Sequence, residues 1–199
     1  MIINTDDYIK LYNNCFETKA LKSTIKELTS LKVTKTIEEF IPTDRWQPHT
    51  WRDTATGKYS TRKKQELEST KFISKNNKYF MDTLFEYIGR YMKDINHRYL
   101  VSWAGYNSIT YHRYKKGTDM APHVDHIQSI FDGTIRGVPI LSIVGQLNDN
   151  FKGGEFQILD KNIRMKAGDI LIFPSNFFFI HKVNLITKGT RISFVSWVY

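Results

Sequence analysis

The sequence predicts an α+β protein, mainly β, in which helices come first and a double-sheet jelly roll or sandwich follows. Before residue 100, apolar residues recur at helical spacing, whereas after it about eight short β-rich runs are separated by turns. The 199 residues are 41% apolar and 14% aromatic, which is enough for one well-buried core. We therefore expect a single domain over residues 1–199, with a helical layer over about 1–100 and a β core over about 101–199.

The first half of the chain is predicted to be helical at its start and its end. Residues from about Thr5 to Leu31 have apolar side chains at helical spacing, with a second segment restarting near Glu17. Residues 33–51 contain two prolines and predict strand and loop. The polar stretch 62–73 is a candidate lid over a bound substrate. A broad apolar stripe from Asn77 to Ile95 predicts a helix that covers a sheet.

The second half is predicted to consist of short strands. β-Branched and aromatic residues dominate each run, and glycine, asparagine and aspartate occupy the connections between runs. Helices first and strands second favour a helical layer packed outside one of two sheets. The predicted strands are 108–114, 121–126, 138–147, 155–159, 163–166, 169–173, 180–186 and 191–199.

Composition limits the compartment and the partners. A single cysteine, Cys15, excludes an internal disulfide and favours a reducing, cytoplasmic compartment. The N-terminus lacks the apolar segment of a signal peptide, and no apolar run is long enough to span a membrane. The net charge of +9 is spread over both halves of the chain, which favours a solvated lysine-rich face. An acidic peptide, protein or polynucleotide partner is the alternative interpretation.

The stretch Pro122-His123-Val124-Asp125-His126 carries the clearest chemical signal. On extended backbone alternate side chains share a face, so His123 and Asp125 lie together whereas His126 points away. An imidazole and a carboxylate are two members of the 2-His-1-carboxylate set that holds Fe(II) and leaves coordination positions open. His181, in a later apolar strand-like run, is the candidate third ligand. The alternative for a lone triplet of this type is an ordinary surface histidine.

Arg191 follows His181 by ten residues and lies on the final predicted strand. By parity it shares a face with Ser193, Val195 and Trp197. A guanidinium inside a small barrel is a costly buried charge unless it pairs, and its planar fork suits a carboxylate. Without the metal triad, an edge-strand arginine would be the simpler interpretation. With the triad, the pattern predicts a carboxylate ligand beyond the metal.

Residues from about 106 to 199 resemble the Fe(II)- and 2-oxoglutarate-dependent dioxygenases, specifically the prolyl-4-hydroxylase-like group, which includes bacteriophage versions. The resemblance implies a double-stranded β-helix (jelly roll) with N-terminal bracing helices. The matching segments are Tyr111-His112-Arg113-Tyr114, His123-Val124-Asp125, Leu147-Asn148-Asp149, Gly153-Gly154-Glu155-Phe156, Ala167-Gly168-Asp169-Ile170, Phe173-Pro174-Ser175, His181-Lys182-Val183 and Lys188-Gly189-Thr190-Arg191.

The same resemblance implies roles for individual residues. His123, Asp125 and His181 would be the catalytic residues that bind Fe(II), and Arg191 would pair with the distal carboxylate of 2-oxoglutarate. Tyr114 stands where the family has a tyrosine hydroxyl facing the cosubstrate. Gln146 occupies a place often held by a tyrosine that supports the carboxylate, and its amide could still donate a hydrogen bond.

Ascorbate is a further candidate cofactor beside Fe(II) and 2-oxoglutarate. Three other histidines are predicted to be structural. These histidines are His49, His97 and His112, with His112 the nearest of them to the pocket.

The resemblance implies an enzyme that hydroxylates a protein or peptide side chain, with proline as the favoured target and succinate and CO2 as coproducts. A first alternative is an oxidative demethylase or hydroxylase of nucleic acid. Such demethylases commonly carry a second arginine six residues after the first, where this chain has Trp197. A second alternative is a jelly-roll binding module without turnover. The run Phe177-Phe178-Phe179 suits an apolar rim for a peptide or the core, and the basic surface suits an acidic protein partner.

Overall fold

In the part of the chain that the structure describes, two larger β-sheets, two short strand pairs and two α-helices make up the regular structure, and the helices contribute to one apolar layer with the larger sheet. The computed structural model describes residues 4–34, 38, 40–52, 56, 58–61, 66–95, 104–125 and 139–199. Among these residues, no helix is long and apolar enough to cross a membrane.

The helices and strands are numbered in chain order. A 3-10 turn spans Thr5–Tyr8, and the two α-helices are α1 (Thr18–Ser30) and α2 (Asn77–Asp94). The strands are β1 (Lys10–Tyr12), β2 (Lys32–Val33), β3 (Arg45–Pro48), β4 (Trp51–Arg52), β5 (Tyr59–Ser60), β6 (Glu68–Thr70), β7 (Thr110–Lys115), β8 (Met120–His123), β9 (Leu141–Gln146), β10 (Lys152–Gly153), β11 (Phe156–Ile158), β12 (Lys161–Ile163), β13 (Ile170–Pro174), β14 (His181–Val183), β15 (Ile186–Lys188) and β16 (Thr190–Val198).

The large sheet has eight strands in the order β1-β13-β9-β16-β7-β6-β3-β2. Its central strand β16 is antiparallel to both β7 and β9. The second sheet has four strands in the order β12-β11-β14-β8, and two short pairs, β10-β15 and β4-β5, complete the β structure. Each layer arises from strands distant in sequence, as in a jelly roll.

Strand alternation divides the apolar core into two layers. On β13, Ile170 and Ile172 join the layer that contains the helices, together with Leu84 of α2. The intervening Leu171 and Phe173 belong to the other layer, with residues of the small sheet. Because both faces of β13 are buried, its sequence is continuously apolar rather than alternating.

Gly145 of β9 allows a close contact that no other residue would permit. A Cβ atom at this position would lie 2.0 Å from Cζ of Phe194, its partner residue on β16. The Phe194 ring lies across the Gly145 backbone and also packs edge-on against Phe16, with ring centroids 5.8 Å apart. This contact joins the centre of the large sheet to the segment before α1.

The expected α-helix from Thr5 is wrong for residues 5–17, because residues 10–12 pair with the sheet instead. After the 3-10 turn, β1 adds to the edge of β13, with Tyr12 opposite Ile170, and α1 begins only at Thr18. Spacing alone cannot distinguish these outcomes, since an available sheet edge overrides a weak helical pattern. The predicted restart near Glu17 and the helix from Asn77 are confirmed.

Three smaller expectations also change. The strand predicted at 163–166 is instead β12, which ends at Ile163, and the run 180–186 divides between β14 and β15. In the candidate lid, residues 62–65 lie outside the described residues. Residues 68–70 form β6, a buried strand inside the large sheet, so this part of the stretch is framework rather than lid.

Candidate metal centre and cosubstrate pocket

Two adjacent strands of the small sheet bring the predicted histidines together. His181 is the first residue of β14 and is the register partner of His123, the last residue of β8. Asp125 lies two residues beyond β8, on a bend rather than on the strand itself. Strand parity therefore explains only part of the arrangement, because the chain turns immediately after His123.

The potential ligand atoms of His123, Asp125 and His181 all lie within 4.8 Å of one another. Oδ1 of Asp125 is 3.6 Å from Nε2 of His123 and 3.6 Å from Nε2 of His181. The two imidazole centroids are 4.3 Å apart. Two imidazole nitrogens and one carboxylate oxygen thus converge on a single point, as a 2-His-1-carboxylate metal site requires.

Backbone carbonyls orient both imidazoles in the same way. Nδ1 of His123 lies 2.8 Å from the carbonyl oxygen of Ala121, and Nδ1 of His181 lies 3.0 Å from that of Phe179. A carbonyl only accepts, so each Nδ1 carries the hydrogen and donates it. Each Nε2 therefore keeps its lone pair for a metal ion, which is the tautomer that ligation needs.

The second oxygen of Asp125 has a separate partner. Oδ2 accepts a 2.6 Å hydrogen bond from Oγ of Ser142 on β9, and this hydroxyl lies 2.8 Å from Oγ of Ser175. Sequence reasoning missed both serines. For Ser142, the available signal was a serine on the inward face of a fully buried strand, where a buried hydroxyl requires a partner.

Electrostatics favour a charged carboxylate at this centre. Burial alone would raise the pKa of Asp125, but the hydrogen bond and charge of His181, the charge of His123 and the Ser142 hydroxyl hold it well below its ordinary value. Burial opposes protonation of His181, yet Asp125 outweighs burial and raises the pKa of that imidazole. Protons and a metal cation therefore compete for the same Nε2 atom.

Arg191 is a buried cation on the inner face of β16. Its side chain is 1% exposed, and Nη1 donates a 3.1 Å hydrogen bond to Oγ of Ser193. The guanidinium carbon lies 5.0 Å from the ring centroid of Tyr114, its register partner on β7. Burial lowers the pKa of Arg191, and Tyr114 opposes this effect. Burial also raises the pKa of Tyr114 to about 12, so its hydroxyl stays protonated.

No carboxylate of the described residues lies within ion-pair distance of Arg191. A fully buried charge without such a partner is costly. A ligand carboxylate in the pocket would supply the missing charge. The structure thus places Tyr114 and Arg191 side by side.

Gln146 has a different role from the one expected. It is buried opposite Ser193, and its Nε2 donates to the carbonyl oxygens of Asn148 at 2.7 Å and Ile192 at 3.2 Å. These two bonds use both amide hydrogens. The amide therefore supports the backbone beside Arg191 and has no hydrogen left to donate to a cosubstrate.

A row of aromatic rings connects the Arg191 region with the metal ligands. The ring centroid of His112 lies 6.4 Å from those of Tyr114 and His49. His49 packs edge-on against Trp51 at 5.2 Å, and Trp51 packs edge-on against His123 at 5.7 Å. These ring contacts connect Tyr114, the neighbour of Arg191, with the ligand His123. The predicted residues His97 and His126 lie outside the described residues.

Residues 109–199 match the family model of the 2OG-Fe(II) oxygenase superfamily. A PKHD-type hydroxylase of Idiomarina loihiensis is 34% identical over 94 residues, covering 45% of this chain and 41% of that protein. A PKHD-type hydroxylase of Psychrobacter sp. is 34% identical over 92 residues, covering 43% of this chain and 35% of that protein. The chain thus matches less than half the length of these curated relatives.

Solved structures share the fold over nearly the whole chain. A viral collagen prolyl hydroxylase from Paramecium Bursaria Chlorella virus-1 has a TM-score of 0.63 at 13% identity, covering 96% of this chain and 94% of that one. A Pseudomonas putida prolyl-4-hydroxylase has a TM-score of 0.62 at 14% identity, covering 98% and 95%. A Trichoplax adhaerens prolyl hydroxylase, in complex with a hypoxia inducible factor peptide fragment, has a TM-score of 0.64 at 12% identity, covering 97% and 84%.

These TM-scores show a shared fold over nearly the whole chain, whereas the family match covers only the β core. That matched segment contains every residue predicted for the site: His123, Asp125, His181, Arg191, Tyr114 and Gln146. Residues 109–199 of this chain are thus similar to the 2OG-Fe(II) oxygenase superfamily.

Proposed function

We propose that the protein is an Fe(II)- and 2-oxoglutarate-dependent dioxygenase that hydroxylates a protein or peptide side chain, with proline as the target. Succinate and CO2 would be the coproducts. One observation carries the proposal: a row of aromatic contacts links three convergent metal-ligand side chains to Arg191, a buried cation that has no carboxylate partner among the described residues.

His123, Asp125 and His181 would hold the metal ion. When bound, Fe(II) and 2-oxoglutarate would supply the oxidation of an unactivated C–H bond by O2. The chain supplies orientation, because two backbone carbonyls fix the imidazole tautomers and Ser142 holds the carboxylate. These contacts preorganise the ligands before the metal arrives.

Arg191 would bind the distal carboxylate of 2-oxoglutarate. Its guanidinium is fixed between Ser193 and the Tyr114 ring, so little side-chain entropy remains to be lost on binding. Pairing would also compensate a buried charge. The pocket is thus better suited to a dicarboxylic 2-oxo acid than to a monocarboxylic one.

Two exposed phenylalanines support a peptide substrate. Phe177 and Phe178 are 65% and 61% exposed, and their ring centroids lie 4.2 Å apart. They occur in the turn before β14, close in sequence to the ligand His181, whereas Phe179 is buried in the core. The two interpretations of this run therefore apply to different residues: Phe177 and Phe178 suit a rim, and Phe179 belongs to the core. An apolar rim suits an extended peptide with proline.

A nucleic-acid substrate is the second candidate, and the net charge of +9 favours it. Trp197 stands where the corresponding demethylases commonly have a second arginine. We propose instead that the basic surface binds an acidic protein partner and that the protein acts in a cytoplasmic compartment. An inactive binding module is disfavoured, because catalysis is the simplest reason for three convergent ligands together with a buried arginine that has no carboxylate partner among the described residues.

A succinate-release assay with Fe(II), 2-oxoglutarate and ascorbate tests the proposal. Proline-containing peptides should stimulate succinate formation and gain one oxygen atom by mass spectrometry, whereas methylated DNA and RNA should not. Asp125→Ala and His181→Ala serve as metal-site controls and should lose bound iron and turnover. A demethylated oligonucleotide would favour the second candidate, and iron stoichiometry unchanged in both variants would refute the metal assignment.

A further inference from the structure

The region around Arg191 contains a histidine, His112, to which the proposed reaction assigns no role. His112 lies on β7, and its register partner on β16 is Ser193, the residue that accepts the hydrogen bond from Arg191. The imidazole therefore lies beside the serine that holds the guanidinium, on one side of the inner sheet face. Gln146, the register partner of Ser193 on β9, flanks it on the other side.

Only one of these two flanking side chains has a hydrogen to donate. Both amide hydrogens of Gln146 are bound by backbone carbonyls. Within the described part of the chain, no hydrogen-bond partner holds His112. Its neighbour on β6, Ser69, has a buried hydroxyl without a partner as well, so the imidazole is not committed to that side.

The charge state of His112 suits a donor next to a cation. Burial, the neighbouring His49 and Arg191 itself together lower its pKa to about 3. The ring is therefore neutral near pH 7 and carries one N–H donor and one acceptor nitrogen. Because it is neutral, it adds a directional hydrogen bond without placing a second cation against Arg191.

We propose that His112 donates a hydrogen bond to the distal carboxylate of the bound 2-oxo acid and, together with Arg191, positions the cosubstrate. This inference rests on the proposed function, since it requires that Arg191 binds the carboxylate. It assigns to β7 the donor that the amide of Gln146 cannot provide. His112 is thus a residue that selects a dicarboxylic cosubstrate rather than a structural histidine.

Calorimetric titration of the Mn(II)-loaded protein tests the proposal without turnover. Replacing His112 by phenylalanine keeps a planar ring and removes the donor, so 2-oxoglutarate affinity should fall by about 10- to 100-fold, as for a hydrogen bond to a charged group. The variant His112→Gln retains a donor and should recover most of the affinity. Ser69→Ala, on the other side of the imidazole, should bind 2-oxoglutarate as the wild type does.

A second ligand locates the hydrogen bond. The monocarboxylic acid 2-oxobutyrate lacks the distal carboxylate, so its affinity should be the same for wild type and His112→Phe. Equal loss for both acids, or no loss for either, would overturn the assignment. If Arg191→Ala weakens 2-oxoglutarate binding and His112→Phe does not, His112 is structural and the proposed function stands. If the wild type fails to bind 2-oxoglutarate, both proposals fail. Thermal unfolding confirms that each variant is folded.

Discussion

Asp125 has one oxygen directed at the two imidazoles and the other held by Ser142. This division gives the carboxylate a single orientation, because rotation would break the 2.6 Å hydrogen bond. Arg191 is likewise oriented by Ser193 before any ligand binds. At the scale of single residues, two serines therefore preorganise the two charged groups of the pocket.

Ser142→Ala should weaken metal binding by about 10- to 100-fold, the usual effect of removing a partner that orients a ligand. The three ligands remain, so the stoichiometry at saturating metal should stay the same. Titration with Fe(II) under anaerobic conditions, or with Mn(II), measures the change. Ser196→Ala is the matched control, since its hydroxyl bonds Asn107 away from the metal ligands. Equal metal affinities for the two variants would contradict the role given to Ser142.

Arg191→Ala should reduce 2-oxoglutarate affinity by about 2–5 kcal/mol, because a carboxylate buried in the pocket would lose its charge partner. Arg191→Lys should recover only part of this loss, since an ammonium cannot make the bidentate contact. Calorimetry on metal-loaded protein compares the three forms. Near-normal affinity in the alanine variant would show that Arg191 is a structural residue.

At the scale of elements, the pairing of β8 with β14 creates the metal centre. The two strands are far apart in sequence, yet their register sets His123 opposite His181. The pairing of β16 with β7 likewise sets Arg191 opposite Tyr114. Since a register shift of one residue would turn these side chains to the other face, the geometry of the pocket depends on the register of the sheets.

Gly145→Ala tests how strongly the register of the large sheet depends on one close contact. A methyl group would collide with the Phe194 ring, and both lie in central strands that cannot separate easily. We expect a loss of about 1–3 kcal/mol in the free energy of unfolding, typical of overpacking in a core. Chemical denaturation of the metal-free protein measures it. Recovery in the double variant Gly145→Ala, Phe194→Leu would identify the ring as the cause, whereas an unchanged single variant would show that the sheet adapts.

At the scale of the whole molecule, the large sheet separates an apolar layer that contains the helices from the pocket that contains the charged groups. Tyr91 and Tyr111 in the helix-facing layer have raised pKa values and stay neutral near pH 7, whereas on the other side of the sheet the pKa values of Arg191, His112 and Asp125 are lowered. The pH dependence of folding should therefore be governed by the pocket.

His112 provides a measurable case. The unfolded chain binds a proton near pH 6.5, whereas the folded protein, with a pKa of about 3 at this histidine, does not. Because the unfolded state binds more protons in this interval, the His112 contribution to stability decreases as the pH falls below about 6.5. Urea unfolding of metal-free His112→Phe should therefore show less loss of stability than the wild type between about pH 7 and about pH 5. Parallel profiles would show that the imidazole is protonated in the folded state.

The sequence by itself determined those features that follow from local period and residue type. Three sets of features can be read from the order of the residues alone. They are the apolar stripe of α2, the runs that form β7, β9, β13 and β16, and the candidate ligands His123, Asp125 and His181. A repeat of 3.6 or of two residues indicates which face of a helix or of a strand a side chain occupies. Arg191 could be singled out because a cation on an inward-facing position requires a partner.

Only the tertiary structure decided which residues meet across strands. Residues 10–12 joined a sheet edge instead of a helix, because β13 offered unpaired backbone groups that the local pattern does not reveal. The amide of Gln146 became committed to Asn148 and Ile192, and Ser142 reached Asp125, through pairings between segments distant in sequence. Local sequence specifies a face, but the register of paired strands selects the neighbour on that face, and the chemistry of the pocket depends on that neighbour.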